Sequence, residues 1–192
     1  LIGPNGAGKS TVLSMITRLS HIDEGEVIID GKKLGKWDNK ELAKNISILR
    51  QANNVNLKLT IRELVEFGRF PYSQGNLTEE DQKHIDDAIR YMQIEDIQDR
   101  YLDELSGGQR QRAYIAMVIA QNTEYIFLDE PLNNLDMKYC VQMMRVIRSL
   151  VDDLGKTVVT VLHDINFASC YSDTIIAMKD GEVYKEGTTN EI

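Results

Sequence analysis

One stretch of the 192-residue chain, Gly3-Pro4-Asn5-Gly6-Ala7-Gly8-Lys9-Ser10 followed by Thr11, has the spacing G-x-x-x-x-G-K-[ST]. Its residue types suit a polyphosphate. Glycines let the backbone wrap closely enough for its N–H groups to face phosphate oxygens, and a following helix adds its positive N-terminal end. Lys9 supplies a mobile cation for the outer phosphates, and the Ser10 hydroxyl offers an oxygen to Mg²⁺. A second constellation is Asp129-Glu130, placed directly after the apolar run Tyr125-Ile-Phe-Leu128. An Asp at the carboxyl end of a buried strand can hold Mg²⁺, and an adjacent Glu can polarise an attacking water. Helix capping explains such a pair equally well when it stands alone. Beside a phosphate loop the catalytic reading is the stronger one.

A third element is Leu105-Ser-Gly-Gly-Gln109. Ser106 with Gln109 three residues later fits a helix-capping box. Capping accounts for a helix start, but not for Gly107 and Gly108 in succession, which weaken a first turn unless something must approach the backbone. Bare amides and a hydroxyl at a helix start suit a phosphate, yet one nucleotide has a single terminal phosphate. The economical arrangement is two chains facing head to tail, each covering the nucleotide held by the other.

These residues need elements to position them. Residues 11–19 read as a helix with Val12, Leu13, Ile16 and Leu19 on one side; 26–30 and 46–49 read as strands. The pattern then turns helical over roughly 59–121. There Ile85, Ala88, Ile89 and Met92 repeat at helical spacing behind an N-cap at Thr78, and residues 70–76 read as a loop. After the strand at 125–128, a helix spans 136–154, a β-branched strand 157–162, and a hairpin 174–185. Buried runs alternating with helices imply an α/β fold with a mainly parallel sheet, in which the helical stretch is an insertion. Residues 1–58 and 122–192 would form the catalytic core and 59–121 a helical subdomain. Leu1-Ile2 resemble the last rungs of a strand, so the chain reads as a fragment of a longer polypeptide.

Composition narrows the class. Hydrophobic residues make up 42% and charged residues 27%, the balance of a folded globular domain. The longest apolar run, residues 113–120, is far short of the roughly 20 needed to span a bilayer. Thirty Asp and Glu against 22 Lys and Arg give a net charge of −8, which argues against nucleic acid as a partner. Cys140 and Cys170 lie far apart with no histidine nearby, a pattern of free thiols in a reducing compartment.

The order of phosphate loop, Gln51, Leu105–Gln109, Tyr125–Pro131, Asn133-Asn-Leu-Asp136 and His163 resembles the ATP-binding subunits of ABC transporters, over the whole chain. The resemblance implies a P-loop ATPase using ATP and Mg²⁺, with Lys9 and Glu130 catalytic. Gln51 would sense the metal and the attacking water, and His163 would touch the terminal phosphate and hold Glu130 in place. Asp136 would contact the facing subunit. It further implies a second copy as partner, transmembrane permease subunits docked near Gln51 and residues 59–72, an extracellular substrate-binding protein acting indirectly, and a place at the cytoplasmic face of the membrane. Two departures from the family pattern stand out: the chain starts too late to contain the adenine-stacking aromatic that the family usually carries upstream of the loop, and Leu132-Asn133-Asn134 replaces a usual Thr and small residues. Within the family, Glu63–Tyr72, Gln109–Met117 and Leu162–Ala168 are similar to importers of siderophores, haem and vitamin B12. With the run 129–136, the similarity is greatest to ferric-catecholate importers of Gram-positive bacteria. Haem, vitamin B12 or metal-ion import remains as an alternative, as does a soluble ATPase of the same type acting on DNA or ribosomes. Against the DNA-acting kind, only 54 positions separate Gln51 from Leu105 (105 − 51) and carry no heptads.

Overall fold

A computed structural model describes residues 1–51, 58–133 and 135–192. In chain order it contains α1 (Lys9–Ile16), β1 (Ile28–Ile29), β2 (Lys32–Lys33), α2 (Asn39–Asn45), β3 (Ile46–Leu49), α3 (Ile61–Phe67), α4 (Phe70–Ser73) and α5 (Glu79–Tyr91). It continues with α6 (Gly107–Ala120), β4 (Tyr125–Asp129), α7 (Met137–Asp152), β5 (Thr157–Val161), α8 (Ile165–Tyr171), β6 (Thr174–Lys179) and β7 (Glu182–Thr188). The fold is α/β around a parallel sheet of order β3-β4-β5. Leu1 and Ile2 extend that sheet. The Leu1 nitrogen donates to the Thr160 carbonyl (2.6 Å) and Leu162 N–H to the Leu1 carbonyl (3.0 Å). On the other side Ile2 bonds to β6, its N–H donating to the Ile176 carbonyl (3.0 Å) and its carbonyl accepting from Met178 N–H (2.9 Å), and β6 pairs antiparallel with β7.

Register decides where chemistry can occur. Leu49 sits opposite Leu128, and Asp129 opposite Val161. Gln51, Glu130 and His163 therefore leave their strands at one edge of the sheet, where Gly3 also emerges beside β6. That edge is the carboxyl end of the parallel strands, where ligands bind in open α/β sheets.

Side chains alternate across β4 as a pleated strand requires. Ile126 and Leu128 join the larger core with Leu49, the buried face of α7 and the helical stretch; Phe127 joins Leu13, Ile29, Leu34, Leu42, Ile46 and Val161 on the opposite face. Helices α3 to α6 all lie between β3 and β4, which are neighbours in the sheet. Within them Ile85, Ala88, Ile89 and Met92 are fully buried, and Thr78 caps α5 reciprocally with Asp81. Gly68 allows α3 to end against α6, since a Cβ there would lie 2.2 Å from the Met117 carbonyl oxygen. Among the described residues no helix is long and apolar enough to cross a membrane.

Several elements differ from the sequence reading. Helix α1 stops at Ile16 because Arg18 turns to φ 61°, leaving Leu19 exposed. Strand β1 shrinks to two residues, cut by the Asp30-Gly31 turn, whose φ values of 50° and 72° suit a tight hairpin. Residues 70–73 are helical, with Pro71 in the first turn where its missing N–H costs nothing. Helices α2 and α8, each seven residues long and capped by Asp38 and Asp164, have no counterpart in the periodicity.

Candidate active site

The phosphate loop is held by contacts that its glycines alone permit. Gly3 has φ 145°, and a Cβ there would lie 2.2 Å from the Met178 carbonyl oxygen. Gly8, at φ 94°, is the residue from which α1 starts. Lys9 is only 5% exposed, and its ammonium donates to the carbonyls of Gly3 (2.8 Å) and Pro4 (3.0 Å). The loop borders an open cleft of about 540 Å³ lined by residues 5–11, Gln51, Glu130, Asn133 and His163. Thr11 thus joins Asn5, Gly6, Ala7, Gly8, Lys9 and Ser10 on one wall, and the strand-end residues form the other.

Ser10 links the two walls. Its hydroxyl donates to Asp129 Oδ1 at 2.9 Å. Burial pushes the Asp129 carboxyl above the usual carboxylate range; the Ser10 hydrogen bond opposes the rise and the charge of Glu130 adds to it. A half-buried carboxylate beside a hydroxyl forms a hard, all-oxygen donor set, the kind that takes Mg²⁺ shared with phosphate oxygens. On donor chemistry the residues fit such an ion.

Glu130 adopts φ 53°, a left-handed conformation uncommon outside glycine and concentrated at functional turns. Both of its carboxylate oxygens are engaged. His163 Nε2 lies 2.5 Å from Oε1, and Gln51 Nε2 donates to Oε2 at 2.6 Å. Asn133 Nδ2 donates to that same Oε2. The Asn133 contact escapes sequence reasoning, whose only signal was the unusual Asn pair after Pro131. The turn is also tied to α6, because Gln111 Nε2 donates to the Pro131 carbonyl at 2.9 Å.

The structure therefore brings Lys9, Ser10, Gln51, Asp129, Glu130 and His163 together. Residues 106–109 stand elsewhere and do not line this cleft. Ser106 caps α6 by accepting from Gln109 N–H (3.3 Å), and Gln109 Oε1 accepts from Ser106 N–H (3.0 Å). Gly108 faces the Tyr139 ring, 3.5 Å from where its Cβ would stand. Asp136 likewise caps α7, accepting from Tyr139 N–H at 3.0 Å. Asn134 lies outside the described residues.

The sequence profile described as "ABC transporter" matches residues 1–133, more than half of the chain. The chain belongs to the ABC transporter family. This ABC protein is 65% identical to the petrobactin import ATP-binding protein YclP of Bacillus subtilis (strain 168), over all of this chain and 76% of that protein. It is 41% identical to the iron(3+)-hydroxamate import ATP-binding protein FhuC of the same strain, over all of this chain and 72% of that protein. Among solved structures, the cassette MJ0796, captured as a dimer in a post-hydrolysis state with ADP and Pi, superimposes with a TM-score of 0.84 at 37% identity. That likeness covers 98% of this chain and 83% of that one. The protein is an ABC-type ATPase, and ATP is its nucleotide.

Proposed function

We propose that this chain is the subunit that binds and hydrolyses ATP to drive an importer of iron–siderophore complexes. The observation that carries the catalytic part is the convergence of three side chains on the Glu130 carboxylate, across one cleft from a buried Lys9 and the Ser10–Asp129 pair. The substrate part rests on similarity to proteins named for petrobactin and iron(3+)-hydroxamate import.

In this reading the amides of residues 5–11 and the Lys9 ammonium grip the phosphates and stabilise charge that builds on the transferring group. Ser10 and Asp129, with the Gln51 side-chain carbonyl, would hold Mg²⁺, which supplies neutralisation of phosphate charge. Glu130 takes the proton from water as the water oxygen bonds to phosphorus and the bond to ADP breaks. His163 keeps that carboxylate and the terminal phosphate in one geometry. Ser106–Gln109 stand away from this cleft, and in this reading they and Asp136 make their phosphate and subunit contacts to a second copy, head to tail. Each copy sits at the cytoplasmic face against permease subunits served by an extracellular binding protein. Residues 1–58 and 122–192 act as the catalytic core and 59–121 as the helical subdomain.

Replacing Glu130 with Gln in the full-length subunit, joined to its permease, tests the chemistry. Turnover should fall about 10²–10⁴-fold while ATP still drives pairing of the subunits; hydrolysis at the parental rate would remove the proposed base. Deleting the gene from its host should abolish uptake of a ferric catecholate siderophore. Retained siderophore uptake with loss of haem or vitamin B12 uptake would reassign the substrate.

A further inference from the structure

We propose that Asn133 is a positioning residue for the catalytic carboxylate, an inference that rests on the ATPase reading of Glu130. Glu130 receives three contacts of different kinds. Gln51 leaves the end of β3, 79 residues away in sequence, and His163 follows β5, 33 residues away (163 − 130). Both are attached to other strand ends, so their hold on Glu130 depends on how separate loops stand relative to one another. Asn133 differs because it lies on the same turn. Its N–H donates to the Glu130 carbonyl at 3.2 Å, and the turn that this bond closes carries the Asn133 side chain back over the Glu130 carboxylate. The left-handed φ of Glu130 shapes that turn. Wherever the loop moves, this donor moves with it.

The chemistry suits the task. A side-chain amide donates an N–H to a carboxylate and does not titrate, so it fixes the group without offering a competing proton. Held by Asn133 at Oε2, the carboxylate presents Oε1, the oxygen facing His163, as the one that takes the proton from water. Gln51 and His163 are then free to turn toward metal, water and phosphate during turnover while Glu130 keeps its aim. Removing the tether returns rotamer freedom to Glu130 and lowers the fraction of time it spends in reacting geometry.

Steady-state ATP hydrolysis by the full-length subunit with its permease, for Asn133→Ala, Asn133→Gln and Asn133→Asp, each also combined with Glu130→Gln, tests the inference. Asn133→Ala should lower kcat about tenfold with KM for ATP changed less than about twofold, the pattern of a lost transition-state interaction. Asn133→Gln, which keeps the amide donor, should recover part of that loss. Asn133→Asp, which sets a like charge against Glu130, should fall below Asn133→Ala. With Glu130 already replaced by Gln, Asn133→Ala should alter the residual rate by less than about twofold, because residues acting as one unit are not additive. A parental rate in Asn133→Ala, or an undiminished effect of that change in the Glu130→Gln background, overturns the inference. So does loss of ATP-driven pairing in the double variant, which would place Asn133 against the second copy instead. If the parental protein hydrolyses ATP and Glu130→Gln does not, the ATPase reading stands whatever Asn133 does; a parental protein without hydrolysis removes both.

Discussion

The cleft at the strand ends and the helix start at Ser106–Gln109 use the same kinds of group, backbone amides and hydroxyls, but stand in opposite states. At the cleft, chain segments far apart in sequence already meet: Ser10 on Asp129, and Gln51 and His163 on Glu130. At α6, Ser106 and Gln109 satisfy one another, and among the described residues neither lines the cleft. The first half of the proposed site is assembled within one copy, because the register of β3, β4 and β5 places its parts. The second half is a finished helix cap, which in the proposed reading would gain a nucleotide contact only from another copy. Binding and hydrolysis should therefore be separable by mutation.

The largest effects should split along that line. Lys9→Ala removes the cation from the cleft and should weaken ATP binding to a single subunit about hundredfold, read by nucleotide titration. Gly108→Asp should leave that binding within about twofold and yet cut hydrolysis at least about hundredfold, because its carboxylate repels phosphate. Thermal stability should be unchanged or slightly raised, since an acidic residue suits the first turn of α6. If Gly108→Asp weakens binding to the isolated subunit, the two regions are not separate.

An intermediate effect is expected far from both. Arg69 and Asp81 form a buried pair at 2.8 Å, and Arg69 also donates to the Ala120 carbonyl at 3.0 Å. Burial raises the Asp81 carboxyl, but hydrogen bonds from Thr78 and Arg69 outweigh it and hold the group below its ordinary value. A carboxylate lowered in the folded state contributes stability above its unfolded value, and that contribution is lost as pH falls through the folded value. Asp81→Asn should therefore cost about 3 kcal/mol at neutral pH in denaturant melts, with the deficit shrinking below about pH 4. Subunit affinity for ATP should not follow. The smallest effect is Ser106→Ala, which removes the α6 cap at a cost of about 1 kcal/mol in the same melts.

What could be read in the sequence follows from where local rules decide the outcome. The glycine loop, the acidic pair at the end of β4 and the buried face of α5 are set by spacing and periodicity within a few residues, and they were legible. Helix α8 was not, because its seven residues bury Phe167 and Ala168 but leave Ile165 exposed, too little to show a repeat. Pro71 reads as a breaker, yet a first helical turn tolerates it. The contact of Asn133 with Glu130 depends on a positive φ that no propensity reports. The Arg69–Asp81 pair depends on α5 meeting the end of α3, a tertiary event.

Lys9 offers a last consequence. The residue is almost wholly buried, and its ammonium rests on two backbone oxygens of its own loop. A polyphosphate entering there would find the side chain already placed and the loop already folded around it. It would offer oxygens of greater charge in exchange for two neutral ones, so most of the ordering cost of capture would fall on the chain as it folds, long before the fuel arrives.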